Sequence, residues 1–368
     1  MRGCPAERFE RLSNLGKTLR YLPIIAELAI VFIAVDLRIF VPAPAWVERN
    51  YSNGFYPRID AAIRAFTAPQ PFSVGDVLLI IAFVALIAWW LDAIGNPRRS
   101  MAKLGRVLLG TVTALAVVYI WFMTAWAYNY DRVPLAEKIV LHNERTNEAT
   151  VAAFADRVVD ELDRYAEAAH AQRDARVTLP ARIEPTFDAA IRRFGDLTKF
   201  SQPPLKPTIF QPLMAMSGTD GFMDPWTHEI NLDEALTTYE RPAVLAHEWA
   251  HLAGFADESE ANLIAVLSCR NADDPLLRYS AWLLVWFNLP SNVHVTHSLS
   301  PLAYEDIQDI KQRYQREVNP TVARVQRKAY DTYLRANRVK AGYASYQIFV
   351  RWLTAADFDA SGLPRVRR

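Results

Sequence analysis

Cysteine is scarce in this sequence, and its two cysteines, Cys4 and Cys269, lie far apart in the chain. Two cysteines so widely separated indicate neither a disulfide framework nor a cysteine-based metal site. An excess of charge of one sign is also lacking: the formal net charge is +1, so no overall field favours binding to nucleic acid. Internal repeats and low-complexity tracts are absent as well. What remains is a chain of 368 residues, enough for two ordinary domains or for one domain and a membrane-embedded part.

Long apolar runs, by contrast, are concentrated in the first third of the chain. A helix that spans a bilayer needs about 20 mainly apolar residues. Three segments approach that length, and they are residues 21–41, 74–94 and 107–128. We expect all three to be transmembrane helices, although a buried hairpin of a soluble protein is the alternative for the last two. The first contains Glu27, Asp36 and Arg38, which are costly in a bilayer, so a helix at the interface or inside a bundle is its alternative.

The charges around these segments predict their orientation. The connection 95–106 carries basic residues and no acidic residue, so it should stay in the cytoplasm. The basic segment 1–20 resembles a cytoplasmic tail more than a cleavable signal, because no convincing cleavage site follows it. The proline- and aromatic-rich loop 42–73 and all of residues 129–368 then lie on the extracytoplasmic side.

Residues 129–368 are predicted to form one globular domain. Apolar residues spaced three and four apart indicate a helix over 147–172. Further helices are expected over residues 186–195, 276–289, 302–316, 320–337 and 344–356, of which 276–289 should be a buried core helix. Strands are expected near 208–210 and 228–232. The predicted fold is therefore membrane-anchored and mainly α, with three transmembrane helices followed by a mostly helical α+β domain with a small sheet.

The most informative stretch is 241–253, which has the features of a short helix. Proline suits its first turn, and Gly254 suits a left-handed C-terminal cap. His247 and His251 are four residues apart and share one face, so both can reach one zinc ion at ~2.0–2.1 Å. Glu248 is rotated by about 100° from His247, beside the metal, where a general base belongs. The alternative is an amphipathic helix that matches this motif by chance, at odds of about one in a hundred.

The segment after this helix offers the third protein ligand that a catalytic zinc usually has. Glu258 and Asn262 are four residues apart and share a helix face. We expect Glu258 to be the third ligand and Asn262 to steady a neighbouring ligand. Asp257 and Glu260 have the spacing of a helix N-cap and its reciprocal partner, and Glu260 is the alternative ligand. The sequence therefore predicts one zinc ion per chain.

Other polar residues are weaker candidates for the site. His228, on the second predicted strand, is either an ordinary strand residue or a contact for the substrate or its oxyanion. Tyr239 and Tyr279 are further candidates for the oxyanion partner. The remaining histidines have polar or charged surroundings that favour positions outside the site, and they are His142, His170, His294 and His297.

The arrangement of His247, Glu248 and His251 followed by Glu258 and Asn262 resembles the gluzincin metallopeptidases. In that group the second element supplies a glutamate ligand, and Asp or Asn stands four residues later. The whole chain is similar to an uncharacterised bacterial family of membrane proteins with three N-terminal spans and an extracytoplasmic zinc-peptidase-like domain. The segments that carry this similarity are residues 51–57, 71–73, 217–218, 221–222, 247–255, 258–262 and 278–280. The resemblance implies a zincin-like domain anchored in the bacterial inner membrane, and it implies no particular substrate.

We therefore expect a membrane-anchored zinc metallopeptidase that cleaves peptide or protein substrates in the periplasm or outside the cell. Glu248 would take a proton from a zinc-activated water and pass it to the leaving amine. A substrate strand would pair with segment 229–232 as an added sheet edge. The alternative is a non-catalytic membrane sensor or assembly module with a structural zinc, which would need no base beside the metal. A transporter is a weaker alternative, because a long soluble-looking domain follows only three spans.

Overall fold

The computed structural model describes residues 5–95, 101–172, 178–195, 202–342 and 347–367. Contacts within the chain divide it into two compact units, each of them mainly helical. The first unit comprises Met1–Pro42 and Val77–Thr124, and the second comprises Ala43–Asp76 and Ala125–Arg368. Most of the predicted loop 42–73 therefore belongs to the globular unit, where it is largely helical.

Helices account for most of the described residues. They are α1 (Pro5–Ile39), α2 (Pro44–Trp46), α3 (Tyr56–Thr67), α4 (Val74–Gly95), α5 (Met101–Ala125), α6 (Leu135–Lys138), α7 (Glu148–Ala171), α8 (Leu179–Phe194), α9 (Gln211–Ser217), α10 (Arg241–Leu252), α11 (Glu258–Arg270), α12 (Pro275–Phe287), α13 (Pro301–Glu317), α14 (Pro320–Ala336) and α15 (Ile348–Ala355). A π-helix covers Val47–Phe55, and 3-10 helices cover Ala127–Asp131 and Asn143–Thr146. The strands among these residues are β1 (Gly221–Met223) and β2 (Ile230–Leu232). The mostly helical prediction with a small sheet is confirmed.

Two described helices, α4 and α5, are long and apolar enough to cross a membrane, as judged by length and composition alone. The candidate spans are Val74–Asp92 and Lys103–Ala125, in agreement with the predicted apolar helices 74–94 and 107–128. Nearly all of the α4 segment is exposed, and its apolar side chains lie on every side of the helix. A helix that is both exposed and apolar all round is stable only in apolar surroundings.

The expected third span at residues 21–41 is not among the candidate spans of the described residues. It is helical as part of α1, but Glu27, Asp36 and Arg38 interrupt its apolar surface. Oε2 of Glu27 pairs with Nη1 of Arg106 on α5 at 3.0 Å. This ion pair between two helices agrees with the alternative interpretation, a helix inside a bundle.

Helix α11 lies at the centre of the second unit. Every residue from Glu258 to Cys269 is buried, and α11 packs against α8, α10, α12 and α15. A helix buried on all sides is typical of the core of a large domain. Because α11 contains the predicted third ligand, that ligand lies in the most densely packed part of the unit.

The helix predictions in the second unit are largely confirmed. Helices α7, α13 and α14 match the segments predicted at 147–172, 302–316 and 320–337, and α12 is the buried core helix expected at 276–289. Helix α8 begins at Leu179, earlier than the predicted segment 186–195. Part of the helix predicted over 344–356 lies outside the described residues, and its remainder is α15.

The sheet is smaller than predicted, and its strands are shifted. β1 and β2 pair antiparallel, with Gly221 opposite Leu232. On its other side β2 receives a hydrogen bond at 2.9 Å from the N–H of Lys206 to the carbonyl oxygen of Ile230. The expected strand at 208–210 is wrong, since those residues form a turn that leads into α9. Consequently β2 has neighbours on both sides, whereas β1 is the edge strand of the described sheet.

A buried ion cluster joins the two stretches of the second unit. Glu48, in the π-helix, pairs with Arg132 at 2.8 Å and with Lys138 at 2.5 Å. The Arg132 side chain is only 2% exposed, and it also donates to the carbonyl oxygen of Gly254 at 2.8 Å. Burial raises the pKa of Glu48, but the hydrogen bonds and charges of Arg132 and Lys138 outweigh burial and hold this pKa below its ordinary value. Glu48 therefore compensates a guanidinium that water does not reach.

Glu48→Gln should lower the free energy of unfolding by about 3 kcal/mol, because it leaves the Arg132 charge buried without its partner. The difference from wild type should be complete above pH 4.5, the ordinary pKa of this carboxyl. It should shrink as the pH falls through the lower pKa of the folded state. Chemical denaturation of the full chain in detergent at several pH values measures both effects. Glu144→Gln is the matched control, since Glu144 is 73% exposed beside His142 and should contribute little. Equal losses for the two variants would contradict the role of burial.

Candidate metal centre

The local sequence of α10 explains why it forms a helix that ends where it does. Proline lies in its first turn, where the missing N–H costs nothing. Gly254 follows the helix with a φ of +86°, and the N–H of Phe255 donates to the carbonyl oxygen of Ala250 at 3.0 Å. This is the left-handed cap that the glycine predicted. The helix expected over 241–253 is confirmed to within one residue.

Three side chains from α10 and α11 converge on one point. Nε2 of His247 and Nε2 of His251 are 3.1 Å apart. Oε2 of Glu258 lies 3.3 Å from the first nitrogen and 3.4 Å from the second. In a tetrahedral zinc site with bonds of ~2.0–2.1 Å, ligand atoms are separated by about 3.3–3.4 Å. The three predicted ligands thus fit three corners of a zinc site, and among the described residues no fourth His, Cys, Asp or Glu joins them.

Hydrogen bonds determine which nitrogen of each imidazole faces this point. Nδ1 of His251 lies 2.9 Å from the carbonyl oxygen of Phe255, and a carbonyl can only accept, so this Nδ1 carries the proton. Nδ1 of His247 donates in the same way to Oδ1 of Asn262 at 2.8 Å. In the neutral form of each ring, Nε2 then has the lone pair and faces this point, which is the form that binds a metal. Asn262 thus contacts His247, one of the predicted ligands.

The third ligand atom also faces this point without a partner. Oε2 of Glu258 is buried and has no hydrogen-bond partner among the described residues. Two imidazole lone pairs and a carboxylate oxygen repel one another at such distances unless a proton or a metal ion lies between them. The donor set, two imidazoles and one carboxylate, is the set that catalytic zinc sites use.

The pKa shifts in the cluster have the same origin. Burial disfavours the charged form of His251, but the carboxylates of Glu258 and Glu248 outweigh burial and raise the pKa of His251 to about 9. Burial likewise disfavours the carboxylate of Glu258, yet the two imidazoles hold the pKa of Glu258 well below its ordinary range. The surroundings therefore favour a positive charge beside Glu258, and a divalent metal ion supplies one.

Glu258 and Glu260, the two candidates for the third ligand, have different partners at the start of α11. Asp257 caps the helix by accepting from the N–H groups of Ser259 and Glu260 at 2.9 and 3.3 Å. Glu258 is the first helical residue and lies in the cluster. The Glu260 carboxylate instead accepts from the N–H of Leu135 at 2.6 Å, so the alternative ligand has a different partner. The prediction of a reciprocal cap is correct for Asp257, which caps the helix. It is wrong for Glu260, whose carboxylate accepts from Leu135 and not from the N–H of Asp257.

Glu248 is a buried carboxylate on the same helix as the two histidines. It packs against β1 so closely that a Cβ at Gly221 would lie 2.5 Å from its Oε1. The N–H of Met223 donates to the carboxylate. Burial and the charge of Glu258 raise the pKa of Glu248 despite the opposing effect of the two histidines. A carboxylate with a raised pKa is suited to exchange protons near neutral pH.

One neighbour of the cluster was not predicted from the sequence. The hydroxyl of Tyr330, on α14, donates to Oε1 of Glu258. Its ring stacks on Tyr333 with 5.6 Å between ring centroids, and the hydroxyl of Tyr130 donates to that of Tyr333 at 3.3 Å. The hydrogen bond from Tyr330 occupies Oε1 of Glu258 and directs Oε2 toward the histidines. No sequence motif marks Tyr330, although Tyr330 and Tyr333 share a face of a predicted helix.

Residues far from the motif secure the end of α10. Nε1 of Trp126 donates to the carbonyl oxygen of His251 at 3.0 Å. The hydroxyl of Tyr56 donates to the carbonyl oxygen of Leu252 at 2.6 Å. These carbonyls lie in the last turn of α10, where no further helical N–H follows, and that of His251 also accepts from the N–H of Gly254 at 2.9 Å. The segment 51–57, whose role the sequence did not reveal, thus packs under the ligand-bearing helix.

The other predicted candidates have partners outside the ligand cluster. His228 is not on a strand, because its φ is +56°, and its Nδ1 lies 3.0 Å from Oδ1 of Asp60. The hydroxyl of Tyr279 donates to Oδ2 of Asp306 at 2.6 Å, and the ring of Tyr239 stacks on His170. None of these contacts supports an oxyanion role. Three of the histidines assigned outside the site pair with acidic residues, and they are His142 with Asp357, His170 with Asp306 and His297 with Asp160.

The purified chain should hold about one zinc ion, given three convergent ligands. His247→Ala and His251→Ala should each abolish zinc binding, as measured by elemental analysis after dialysis. Glu258→Ala should weaken zinc retention strongly. Glu260→Ala is the matched control on the same helix: it should keep its zinc while losing about 1–3 kcal/mol of stability, because the Leu135 N–H loses its acceptor. Zinc loss in Glu260→Ala with retention in Glu258→Ala would contradict the assignment.

Comparison with known proteins adds a family but no function. No curated protein and no solved structure matches the chain. The family model described as "Protein of unknown function (DUF3810)" matches residues 51–354, which include the three convergent ligands, Glu248 and Tyr330. Because this match covers most of the chain, the protein belongs to the DUF3810 family.

Proposed function

We propose that this chain is a zinc-dependent metallopeptidase in which His247, His251 and Glu258 hold the metal and Glu248 is the general base. The observation that carries the proposal is the convergence of three ligand atoms beside a buried carboxylate on the same short helix. Three protein ligands leave a fourth position for water or substrate, as in catalytic zinc sites, whereas structural zinc sites have four protein ligands.

The roles of the residues follow from their contacts. Zinc, when bound, acts as a Lewis acid and makes a water molecule more acidic. Glu248 accepts the proton of the attacking water and then donates it to the leaving amine. Its raised pKa favours the first step, since a strongly acidic carboxyl would be too weak a base to accept the proton. Asn262 and Tyr330 orient the ligands and thereby position the site.

The proposed substrate is an extended peptide that pairs with β1. The sequence suggested pairing with segment 229–232, but β2 already has a neighbour on each side. No strand among the described residues pairs with the other edge of β1, and this edge adjoins Glu248 through Gly221 and through the N–H of Met223, which donates to the Glu248 carboxylate. An extended peptide added to this edge would run past the general base.

A non-catalytic module with a structural zinc is the second candidate. One observation favours it: the side chains of His247, His251 and Glu258 are only 12%, 10% and 1% exposed. A site this enclosed suits a metal that is never exchanged or approached by substrate. The buried Glu248 distinguishes the two candidates, because a structural site has no use for a base.

We further propose that α4 and α5 anchor the protein in a membrane, with the metal centre outside the cytoplasm. The length and apolar composition of both helices support anchoring. The connection 95–106 between them is basic and free of acidic residues, which supports its cytoplasmic position. The orientation rests on this charge pattern, and residues 96–100 lie outside the described part of the chain.

Reporter fusions test the orientation. A reporter inserted within 95–106 should behave as cytoplasmic, because basic loops are retained there. A reporter fused after residue 368 should behave as extracytoplasmic. A cytoplasmic C-terminal reporter would overturn the proposed compartment of the metal centre without affecting its chemistry.

Glu248→Gln tests the chemistry, because it removes the proposed base but none of the metal ligands. Zinc content and thermal stability should stay close to those of the wild type. Peptide-bond cleavage should fall by about 10²–10⁴-fold, the usual contribution of general acid–base catalysis. Comparing new extracytoplasmic N-termini in cells that carry either protein measures this loss without knowledge of the substrate.

Gly221→Ala should reproduce the loss without replacing any titratable group, because the new methyl would displace the Glu248 carboxylate. Gly105→Ala is its control, since a Cβ there meets no atom within 4 Å. Unchanged cleavage in Glu248→Gln and Gly221→Ala cells, with zinc in place, would favour the structural-zinc candidate.

A further inference from the structure

A cavity of about 440 Å³ lies in the second unit between α7, α11, α12 and the C-terminal segment 360–362. Neither the three metal ligands nor Glu248 lines it. Its wall includes three arginines from three different helices, and they are Arg157 on α7, Arg270 on α11 and Arg278 on α12. Guanidinium groups repel one another, so gathering three of them around one cavity needs a physical reason.

The two arginines nearest the core are held by uncharged neighbours. The guanidinium of Arg270 packs over the ring of Phe358 at 4.3 Å, and its Nη2 donates to the carbonyl oxygen of Gly362 at 2.9 Å. Nη1 of Arg278 donates to the hydroxyl of Tyr165 at 3.0 Å. These contacts fix the positions of the two groups but do not neutralise their charge.

The acidic residues nearby compensate this charge only in part. Glu161 is the acidic residue that lines the cavity, and its Oε1 already pairs with Arg164 at 2.7 Å. Asp273 lies 3.9 Å from Arg278 but is fully exposed, so water screens its charge. The cavity is therefore more positive than its own residues can balance.

Arg157 and Arg270 show the imbalance most clearly. Neither has an ion pair among the described residues. Burial and the charge of Arg157 lower the pKa of Arg270 to about 10, although the charge of Glu161 acts in the opposite direction. A half-buried guanidinium of this kind is stabilised when an anion approaches it.

We propose that this cavity binds a small molecule through an oxyanion group, either phosphate or carboxylate. The planar guanidinium presents parallel N–H donors that match two oxygens of such a group. Ser361 and Asn271 add neutral polar groups to the wall, and Trp282 adds an aromatic surface for the rest of the ligand. The volume lies within the range of about 300–1,000 Å³ that small-molecule sites occupy.

The proposed anion site is separate from the metal centre, although α11 contributes to both. Glu258 is the first residue of α11 and Arg270 is the last. At a rise of 1.5 Å per residue, the two positions are about 18 Å apart. The proposal therefore does not depend on the metallopeptidase activity and stands if that activity is disproved.

Titration of the full-length protein in detergent with inorganic phosphate, and separately with succinate, tests the proposal. Calorimetry at constant ionic strength, set with potassium chloride, should show saturable binding of at least one of the two anions. Arg157→Gln and Arg270→Gln should each weaken that binding by about tenfold or more, since each removes a charge-assisted contact. Arg351→Gln, which removes an exposed positive charge outside the cavity, should leave binding unchanged. Arg157 is exposed, so its variant should fold even if the Arg270 variant does not.

Phosphate also binds zinc, so the titration is repeated with His247→Ala protein. Binding that persists in His247→Ala and is lost in Arg157→Gln supports the arginine cavity. Binding that is lost in His247→Ala and persists in Arg157→Gln would place the anion at the metal centre and overturn the proposal. Absence of saturable binding for both anions, or an equal loss in Arg351→Gln, would overturn it as well. Phosphate binding without succinate binding identifies the ligand group as phosphate, and the reverse identifies a carboxylate.

Discussion

The second unit depends on keeping three electron-rich atoms together in a buried place. Nε2 of His247, Nε2 of His251 and Oε2 of Glu258 lie 3.1–3.4 Å from one another. Without a cation this arrangement costs free energy, because the lone pairs repel and none of the atoms is solvated well. A cation bound between the three atoms would remove this repulsion. Much of the surrounding packing serves to prevent the three atoms from separating.

Phe255 illustrates how the chain meets this constraint. Its N–H caps α10 at the Ala250 carbonyl, and its own carbonyl oxygen accepts from Nδ1 of His251. One residue thus ends the helix and orients a ligand. The turn that it forms leads into α11, where Glu258 follows immediately. Further out, Trp126, Tyr56 and Arg132 donate to the last carbonyls of the same region. Segments distant in sequence are therefore part of the site's support, and Glu48 keeps Arg132 in place.

The sequence predicted the elements whose information is local. The spacing of His247, Glu248 and His251 reports one helix face directly, and the position of Glu258 relative to Asn262 follows from the same geometry. Uniformly apolar runs identified α4 and α5, and regular spacing identified α7, α13 and α14. The segment 21–41 was expected to span the membrane because of its length. Its charged residues include Glu27, which pairs with Arg106.

Other features depend on contacts between distant parts of the chain, which a single sequence does not display. Tyr330 reaches Glu258 from a helix that carries no motif. The segment 42–73 contains several prolines and resembled a loop, yet tertiary packing makes most of it helical. His228 has a left-handed backbone conformation, so β2 begins after it and this histidine is not part of the strand.

X-ray absorption spectroscopy of the purified protein at the zinc edge tests the central claim most directly. We expect zinc with two imidazole nitrogens and oxygen ligands at about 2.0–2.1 Å; a sulfur ligand, or a zinc site without histidine, would contradict the assignment of His247, His251 and Glu258.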